Sequence, residues 1–355
     1  MHCKLALIGF GNVARALARL LVRKQDLLKS KYNLTFSFTG IATGKHGFAV
    51  DPDGLDIQKT LALVESGKDI SPLNISQPAL SNVEGLPIPN SLAVIQNSQA
   101  DVMFENSPVN YETGQPAIDH VRAALNAGMH VSTANKGTVV HGYQELRALA
   151  ISKNKRFMFE STVLGGTPVF STFREAMPAA DLISFKGIIN ATTNIILSRM
   201  EDGESFETAV KYCQSMDIAE TDPSGDVDGW DASIKVAALA TVLMDTPLKP
   251  QKVDRTGIRG ITSEMIAKAK SKGKRYKLVA SAERAGKTIS ARVAPELVEP
   301  ASPLYGLMGS STGLTFRTDV LPDYSIIVSE REGMMGGPIE TAYGLFADFV
   351  NAVKQ

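Results

Sequence analysis

The sequence predicts an α/β fold, and three observations carry that prediction. A short apolar run, Lys4-Leu-Ala-Leu-Ile8, leads directly into Gly9-Phe-Gly11-Asn-Val13-Ala14, which opens a helical pattern through Leu17, Leu20 and Leu21. Further apolar runs at residues 36–42, 100–104 and 128–132 are spaced by helical stretches such as residues 117–125, as a parallel sheet with crossover helices requires. In the second half, residues 285–300 alternate and turn like strands. The expected architecture is therefore an N-terminal Rossmann-type dinucleotide-binding domain over residues 1–150 and an α+β domain over 151–315 that serves substrate binding and dimerisation. Residues 316–355 form a C-terminal segment whose helix returns to the first domain.

Composition bounds what such a chain does. At 355 residues it is long enough for two domains of ordinary size with a sizeable core. Lys plus Arg equals Asp plus Glu, 37 against 37, so nothing favours nucleic acid or an anionic membrane surface as a partner. Two cysteines, Cys3 and Cys213, are too few for a disulfide framework or a zinc site. Both read as small core residues, which suits a reducing cytoplasm. No secretory leader and no membrane-spanning stretch is expected. Internal repeats, low-complexity tracts and long linkers are not found.

The first strand and glycine turn are read as a nucleotide site. Gly9 permits a tight turn, Gly11 lets the backbone approach a pyrophosphate at the helix N-terminus, and Asn12 and Val13 complete the approach. Ala14 replaces the usual third glycine and is small enough for close helix–strand packing. At the end of the second strand an acid would grip the ribose of NAD. Thr43-Gly44-Lys45-His46-Gly47 offers no acid. Its two basic side chains either meet the 2′-phosphate of NADP or are solvated loop residues; the reading leans to NADP.

Two more strand ends carry polar residues where open α/β sheets bind ligands. Glu105-Asn106-Ser107-Pro108 follows one run, and Ser107 is a candidate cofactor contact. Thr133-Ala-Asn135-Lys136-Gly137 follows the next. Lys136 either projects toward a nicotinamide and substrate or belongs to a surface turn, since Asn-Lys-Gly is also good turn chemistry.

Farther along, Phe157-Met-Phe-Glu160 precedes Ser-Thr-Val163-Leu-Gly165-Gly166-Thr167-Pro168. A sharply bent backbone there would turn carbonyls outward and, with a carboxylate, offer oxygen ligands to a hard cation; the alternative is a plain turn. Asn190-Ala191-Thr192-Thr193-Asn194 supplies donors for a ligand, or caps the next helix. A helix over residues 206–216 then leads to the most informative stretch of the chain. Residues 220–235 hold five acids (Glu220, Asp222, Asp226, Asp228 and Asp231) and one lysine, Lys235, immediately before the apolar run Val236-Ala-Ala-Leu-Ala240. A lysine beside a buried face loses its proton more readily than a solvated one, which suits proton transfer. The plainer reading is an acidic loop capping a helix, with Asp231 and Lys235 as an i,i+4 pair. Near the end, Gly333-Met-Met-Gly336-Gly337 opens a helix running to Val350.

Taken in order, these motifs resemble the homoserine dehydrogenase family over nearly the whole chain. The matching pieces are the glycine turn from Gly9 to Ala14, Glu105-Asn106-Ser107, Thr133-Ala-Asn135-Lys136-Gly137, Asn190-Ala191-Thr192-Thr193-Asn194, and the block from Glu220 to Lys235. The last is the most specific. The resemblance implies oxidation of L-homoserine to L-aspartate 4-semialdehyde with NADP or NAD, and the reverse, on the route to threonine, methionine and isoleucine. It implies Lys235 as proton donor and acceptor at the substrate oxygen, with Lys136 near the nicotinamide and the same oxygen. Glu220 would bind the substrate amino group, and Asp226 and Asp231 would orient the lysines or the substrate. Gly333 joins the cofactor residues. A monovalent cation, Na+ or K+, would fall on Glu160 and the carbonyls of Val163, Gly165 and Thr167. A homodimer through the second domain is implied.

The chain departs from the family pattern at Ala191, at Asp217 and at Met334-Met335, all of which bear on the shape of the nicotinamide pocket. It is expected to lack the appended regulatory domain and the aspartate kinase of some relatives. Rival readings are another NAD(P)-dependent oxidoreductase on the same fold and a nucleotide-binding protein without turnover. Aspartate-semialdehyde dehydrogenase is disfavoured, because neither cysteine is placed as a nucleophile.

Overall fold

A computed structural model describes residues 1–74, 90–216, 218–286, 288–329 and 337–354. Gly333, Asp217, Met334 and Met335 lie outside the described residues. The chain forms two compact units, one of residues 1–167 with residues from 338 onward, the other of residues 168–337.

The first unit is a Rossmann-type α/β layer. Its strands are β1 (His2–Ile8), β2 (Thr35–Ala42), β3 (Phe48–Val50), β4 (Val102–Glu105), β5 (His130–Thr133) and β6 (Phe157–Met158). They lie in the order β3-β2-β1-β4-β5-β6, parallel except for the antiparallel β2–β3 pair. Strand order reverses at β1, which pairs with β2 on one side and β4 on the other. The crevice at the carboxyl ends of β1 and β4 is where such sheets take ligands.

The crossover helix Asn12–Tyr32 buries Ala14, Leu17, Ala18, Leu21 and Leu28, the stripe that a period of 3.6 residues presents to a sheet. It ends at Asn33, whose left-handed backbone (φ 49°) lets its N–H bond the Leu28 carbonyl. The helix Pro338–Val353 belongs to this same unit. It packs on Asn12–Tyr32 and on β5 and sets Phe349 edge-on to Phe104, ring centroids 6.0 Å apart. Its buried Asp348 accepts from Ser132 Oγ (3.1 Å) and from the Glu160 N–H (3.0 Å).

The second unit is α+β. Its strands are β7 (Leu182–Ile188), β8 (Asp254–Arg255), β9 (Arg275–Ala285), β10 (Thr288–Val298), β11 (Thr312–Thr318) and β12 (Tyr324–Val328), in the order β12-β11-β7-β9-β10-β8. All neighbours are antiparallel except β10 and β8. The helices Ala191–Glu201, Trp230–Leu243 and Ser263–Ser271 pack on β9. Trp230–Leu243 is buried around most of its circumference, as an apolar helix must be.

The units divide the chain elsewhere than at 150 and 315. Residues 151–167 stay with the first unit because β6 pairs with β5 and Glu160 is tied to Asp348. Residues 316–329 stay with the second because β11 runs on to Thr318 and pairs with β12. Within the acidic block, Pro223 leads into a short helix, Ser224–Val227.

Within the second unit Lys277 is fully buried, 0% exposed. Its Nζ donates to Asn194 Oδ1 (2.9 Å) and the Leu307 carbonyl (2.6 Å). The Asn194 amide donates in turn to the carbonyls of Leu307, Gly309 and Ser311 at 3.1, 3.0 and 2.9 Å. Asn194 is thus a tie between a helix and a loop, with no amide proton left over for a ligand. Burial pulls the Lys277 ammonium down to about 8; Glu201 opposes this and Arg275 adds to it.

A lysine lowered in the folded state gives up its proton there first. Between pH 8 and the unfolded value near ~10.4 the unfolded chain binds more protons, so stability rises with pH across that window. Relative to Lys277→Met, the wild-type protein should gain on the order of 2–3 kcal/mol from pH 8 to pH 10.5. Urea unfolding of both at stepped pH measures this; a pH-independent difference would remove the burial penalty from Lys277.

Candidate active site

The carboxyl-terminal edge of the first sheet is built by three strand termini. Gly9 follows β1 with φ 83°, and a Cβ there would lie 2.5 Å from the Asn106 carbonyl oxygen and 2.7 Å from the Ser107 nitrogen. Only glycine allows both the backbone angle and the contact. Gly11 caps the helix Asn12–Tyr32 without a side-chain bond, and a Cβ there would meet nothing within 4 Å. Open space over the N-terminus of a 21-residue helix fits a pyrophosphate. Asn12 Oδ1 is held by Arg15 Nη2 at 2.6 Å, while Val13 packs against the apolar core. At the end of β2, Thr43 closes a loop on the Gly47 carbonyl (3.0 Å), leaving Lys45 exposed and His46 half-buried.

Asn135 caps the helix Lys136–Ser152 by accepting from the Gly137 N–H (2.9 Å), and its amide donates to the Ser107 and Pro108 carbonyls (3.0 and 3.3 Å). Half-buried Lys136 therefore opens a helix, not a surface turn, and stands in the same loop cluster as Ser107 and Gly9.

The second unit gathers acid–base groups at the head of the helix Trp230–Leu243. Asp231 and Lys235 lie one turn apart, Oδ2 to Nζ 2.8 Å, each side chain 14% exposed. Lys235 Nζ also donates to the Ile189 carbonyl at 2.8 Å. Asn190 caps the helix Ala191–Glu201 through its Oδ1, which accepts from the Thr193 N–H at 2.8 Å. Its Nδ2 is free to bridge two acids, Asp226 Oδ1 at 2.6 Å and Asp231 Oδ2 at 2.9 Å. Burial first, then the Asp231 charge, push the Asp226 carboxyl above the usual aspartate range; Asn190, Lys235 and Thr192 pull it back. Such a network of donors and acceptors around one amine is what proton transfer needs.

Glu220 stands apart from that network among the described residues. It is exposed, in an open cleft of about 570 Å³ lined by Gln214, Ala219, Glu220, Thr221 and Asp222. Gln214 Nε2 holds the segment by donating to the Glu220 and Thr221 carbonyls (3.3 and 3.0 Å).

The sequence profile of the family described as homoserine dehydrogenase matches residues 168–350. A protein of Pseudomonas canavaninivorans named NAD(+)-dependent homoserine dehydrogenase is 33% identical over 350 residues, 98% of this chain and 95% of that one. The chain belongs to the homoserine dehydrogenase family. A homoserine dehydrogenase of Methanocaldococcus jannaschii is 34% identical over 97% of each chain. The crystal structure of a homoserine dehydrogenase from Thiobacillus denitrificans superposes with a TM-score of 0.79 at 26% identity, covering all of this chain and 74% of that one.

The cation candidate of this family member lies wholly in the first unit. Glu160 is 5% exposed and starts the single turn Ser161–Leu164, which ends at Gly165 with φ 55°. That left-handed residue reverses the backbone beside Val163 and Thr167, with the Thr167 N–H on the Leu164 carbonyl at 3.0 Å. Among the described residues no group of three or more His, Cys, Asp or Glu side chains is arranged to hold a metal, so a cation here would depend on backbone oxygens. No described helix is long and apolar enough to cross a membrane.

Asn190 is the member of this acid–base cluster that the sequence presents only as one of several polar donors. Removing its amide leaves two carboxylates facing each other with less compensation. Asn190→Ala should cost about 2 kcal/mol at pH 7. Because the folded Asp226 carboxyl titrates above its unfolded value, the cost of burying its charge appears as pH rises. The loss should therefore shrink toward pH 4, as Asp226 takes up its proton. Denaturant unfolding at the two pH values checks this, and an equal loss at both would contradict it.

Proposed function

We propose that this chain interconverts L-homoserine and L-aspartate 4-semialdehyde with a nicotinamide dinucleotide, NADP or NAD. The observation that carries the reading is Lys235: a mostly buried amine fixed between a carboxylate and a carbonyl, inside the acidic block from Glu220 that resembles the family. When bound, the dinucleotide supplies hydride transfer at the alcohol carbon. The chain's own task is to move the hydroxyl proton. In the oxidation the Lys235 side chain takes it up; in the reduction the same side chain returns it to the carbonyl oxygen.

Asp231 orients Lys235 through the 2.8 Å ion pair, Asn190 holds Asp231 and Asp226 at their spacing, and Lys136 serves the reaction from the dinucleotide side. Glu220 takes the substrate ammonium in its open cleft. Gly9, Gly11, Asn12, Val13, Ser107 and Lys136 receive the dinucleotide. Lys45 and His46, at a strand end without an acid, favour NADP. Na+ or K+ on Glu160 and the carbonyls of Val163, Gly165 and Thr167, a homodimer through the second unit, and a cytoplasmic setting that suits the buried thiols of Cys3 and Cys213 complete the proposal.

One assay tests the whole: homoserine with NAD and NADP in turn, following the absorbance of the reduced nicotinamide, with sodium, with potassium and with neither. No turnover with either dinucleotide would sink the reading. Lys235→Ala should lower kcat by about 10²-fold or more with dinucleotide affinity intact; a near-normal kcat would take Lys235 out of this role. Glu220→Gln should raise the KM for homoserine more than it lowers kcat, and an unchanged KM would count against substrate binding there.

A further inference from the structure

Beneath the loop carrying Ser107 lies a buried carboxylate that neither the glycine turn nor the acid–base network uses. Glu105 ends β4 and is 0% exposed. One of its oxygens accepts from the Ser107 N–H at 3.2 Å, from the Ser107 hydroxyl at shorter range, and from His120 Nδ1 at 3.3 Å. The other faces Thr133 Oγ1 at 3.4 Å, a hydroxyl shared with the Glu105 backbone carbonyl at 3.1 Å. A carboxylate only accepts, so His120 carries its proton on Nδ1. His120 is itself 5% exposed, on the helix Ala117–Asn126.

Thr133 relays the contact onward. Its hydroxyl accepts from the Asn135 N–H at 2.9 Å, and the Asn135 amide returns to the Ser107 carbonyl at 3.0 Å. The Asn106 N–H meets the Ile8 carbonyl at 2.7 Å, so the ends of β1, β4 and β5 all converge on this acid. The Asn106 side-chain amide is buried there without a hydrogen-bond partner among the described residues. An acid buried this deeply is tolerated only when its oxygens are fully used, and here they are used on the loops that carry Ser107 and Lys136.

We propose that Glu105, locked by His120, is a positioning residue for the dinucleotide, fixing the spacing between Ser107 and Lys136. The proposal rests on the dinucleotide-binding reading above. Glutamine at position 105 keeps one acceptor oxygen for Ser107 and His120 and sets an NH₂ against Thr133, so it removes the charge that strengthens those bonds and the loop is held less firmly.

The test is a fluorescence titration of NADH and of NADPH into wild type, Glu105→Gln, His120→Gln, Ser107→Ala and the Glu105→Gln/Ser107→Ala double variant. Circular dichroism at the same temperature establishes which variants are folded. Glu105→Gln and His120→Gln should each weaken binding of the better dinucleotide about tenfold, within the range of coupled neighbours. The double variant should bind no more weakly than Glu105→Gln alone, because the acid acts through Ser107. Should Glu105→Gln fail to fold, His120→Gln carries the same expectation.

Wild-type affinity in the folded variants, or losses from Glu105→Gln and Ser107→Ala that simply add, would overturn the proposal. A wild-type protein that binds neither dinucleotide would overturn it together with the reading beneath it. A protein that binds, shows the coupled loss and leaves homoserine untouched would uphold the role of Glu105 while removing the substrate assignment.

Discussion

Two carboxylates within reach of one buried amide set the terms for the second unit. Asp226 and Asp231 both meet Asn190 Nδ2, and the Asp231 charge is among the causes that raise the Asp226 carboxyl. Without a donor between them the pair would repel at short range in a poorly solvated place. The Asn190 oxygen is already committed to capping its own helix, so the amide's orientation is fixed and its NH₂ can point only at the acids. Lys235 joins from the helix Trp230–Leu243 and is braced against the Ile189 carbonyl, one residue before Asn190. Helix capping, charge spacing and the placement of the amine are one arrangement. The deeper tie of Lys277 and Asn194 holds the same helix one turn farther along.

Much of the first unit was legible because its signals are local. A strand, a glycine turn and a helix are adjacent in sequence, and the φ of Gly9 and the stripe from Ala14 to Leu28 follow from residue type and period. The Asp231–Lys235 pair was legible for the same reason, being one helical turn apart. What was missed is nonlocal. β7 and β11 carry no clear strand signal because Leu-Ile-Ser-Phe-Lys-Gly-Ile and Thr-Gly-Leu-Thr-Phe-Arg-Thr mix apolar with polar and glycine positions, and only their pairing across more than a hundred residues makes them strands.

The site residues divide in the same way. Asn190 and Asn194 sit four apart in one polar cluster, and nothing in that string says that one reaches Asp226 while the other is sealed against Lys277. Glu105 stands out in the sequence only as part of a motif, and its contacts with His120 and Thr133 appear only once β4, β5 and a helix are side by side. Thr192, which supports Asp226, carried no signal beyond being one hydroxyl among several.

The helix Pro338–Val353 closes the face of a sheet whose first strand begins at His2. A ribosome making this chain therefore has to finish the whole second unit before Phe104 meets Phe349 or Ser132 meets Asp348. Until then the early strands wait with an uncovered apolar surface, the circumstance in which chaperones are recruited. Each contact that this helix makes with the early strands carries the loop-closure entropy of the intervening chain.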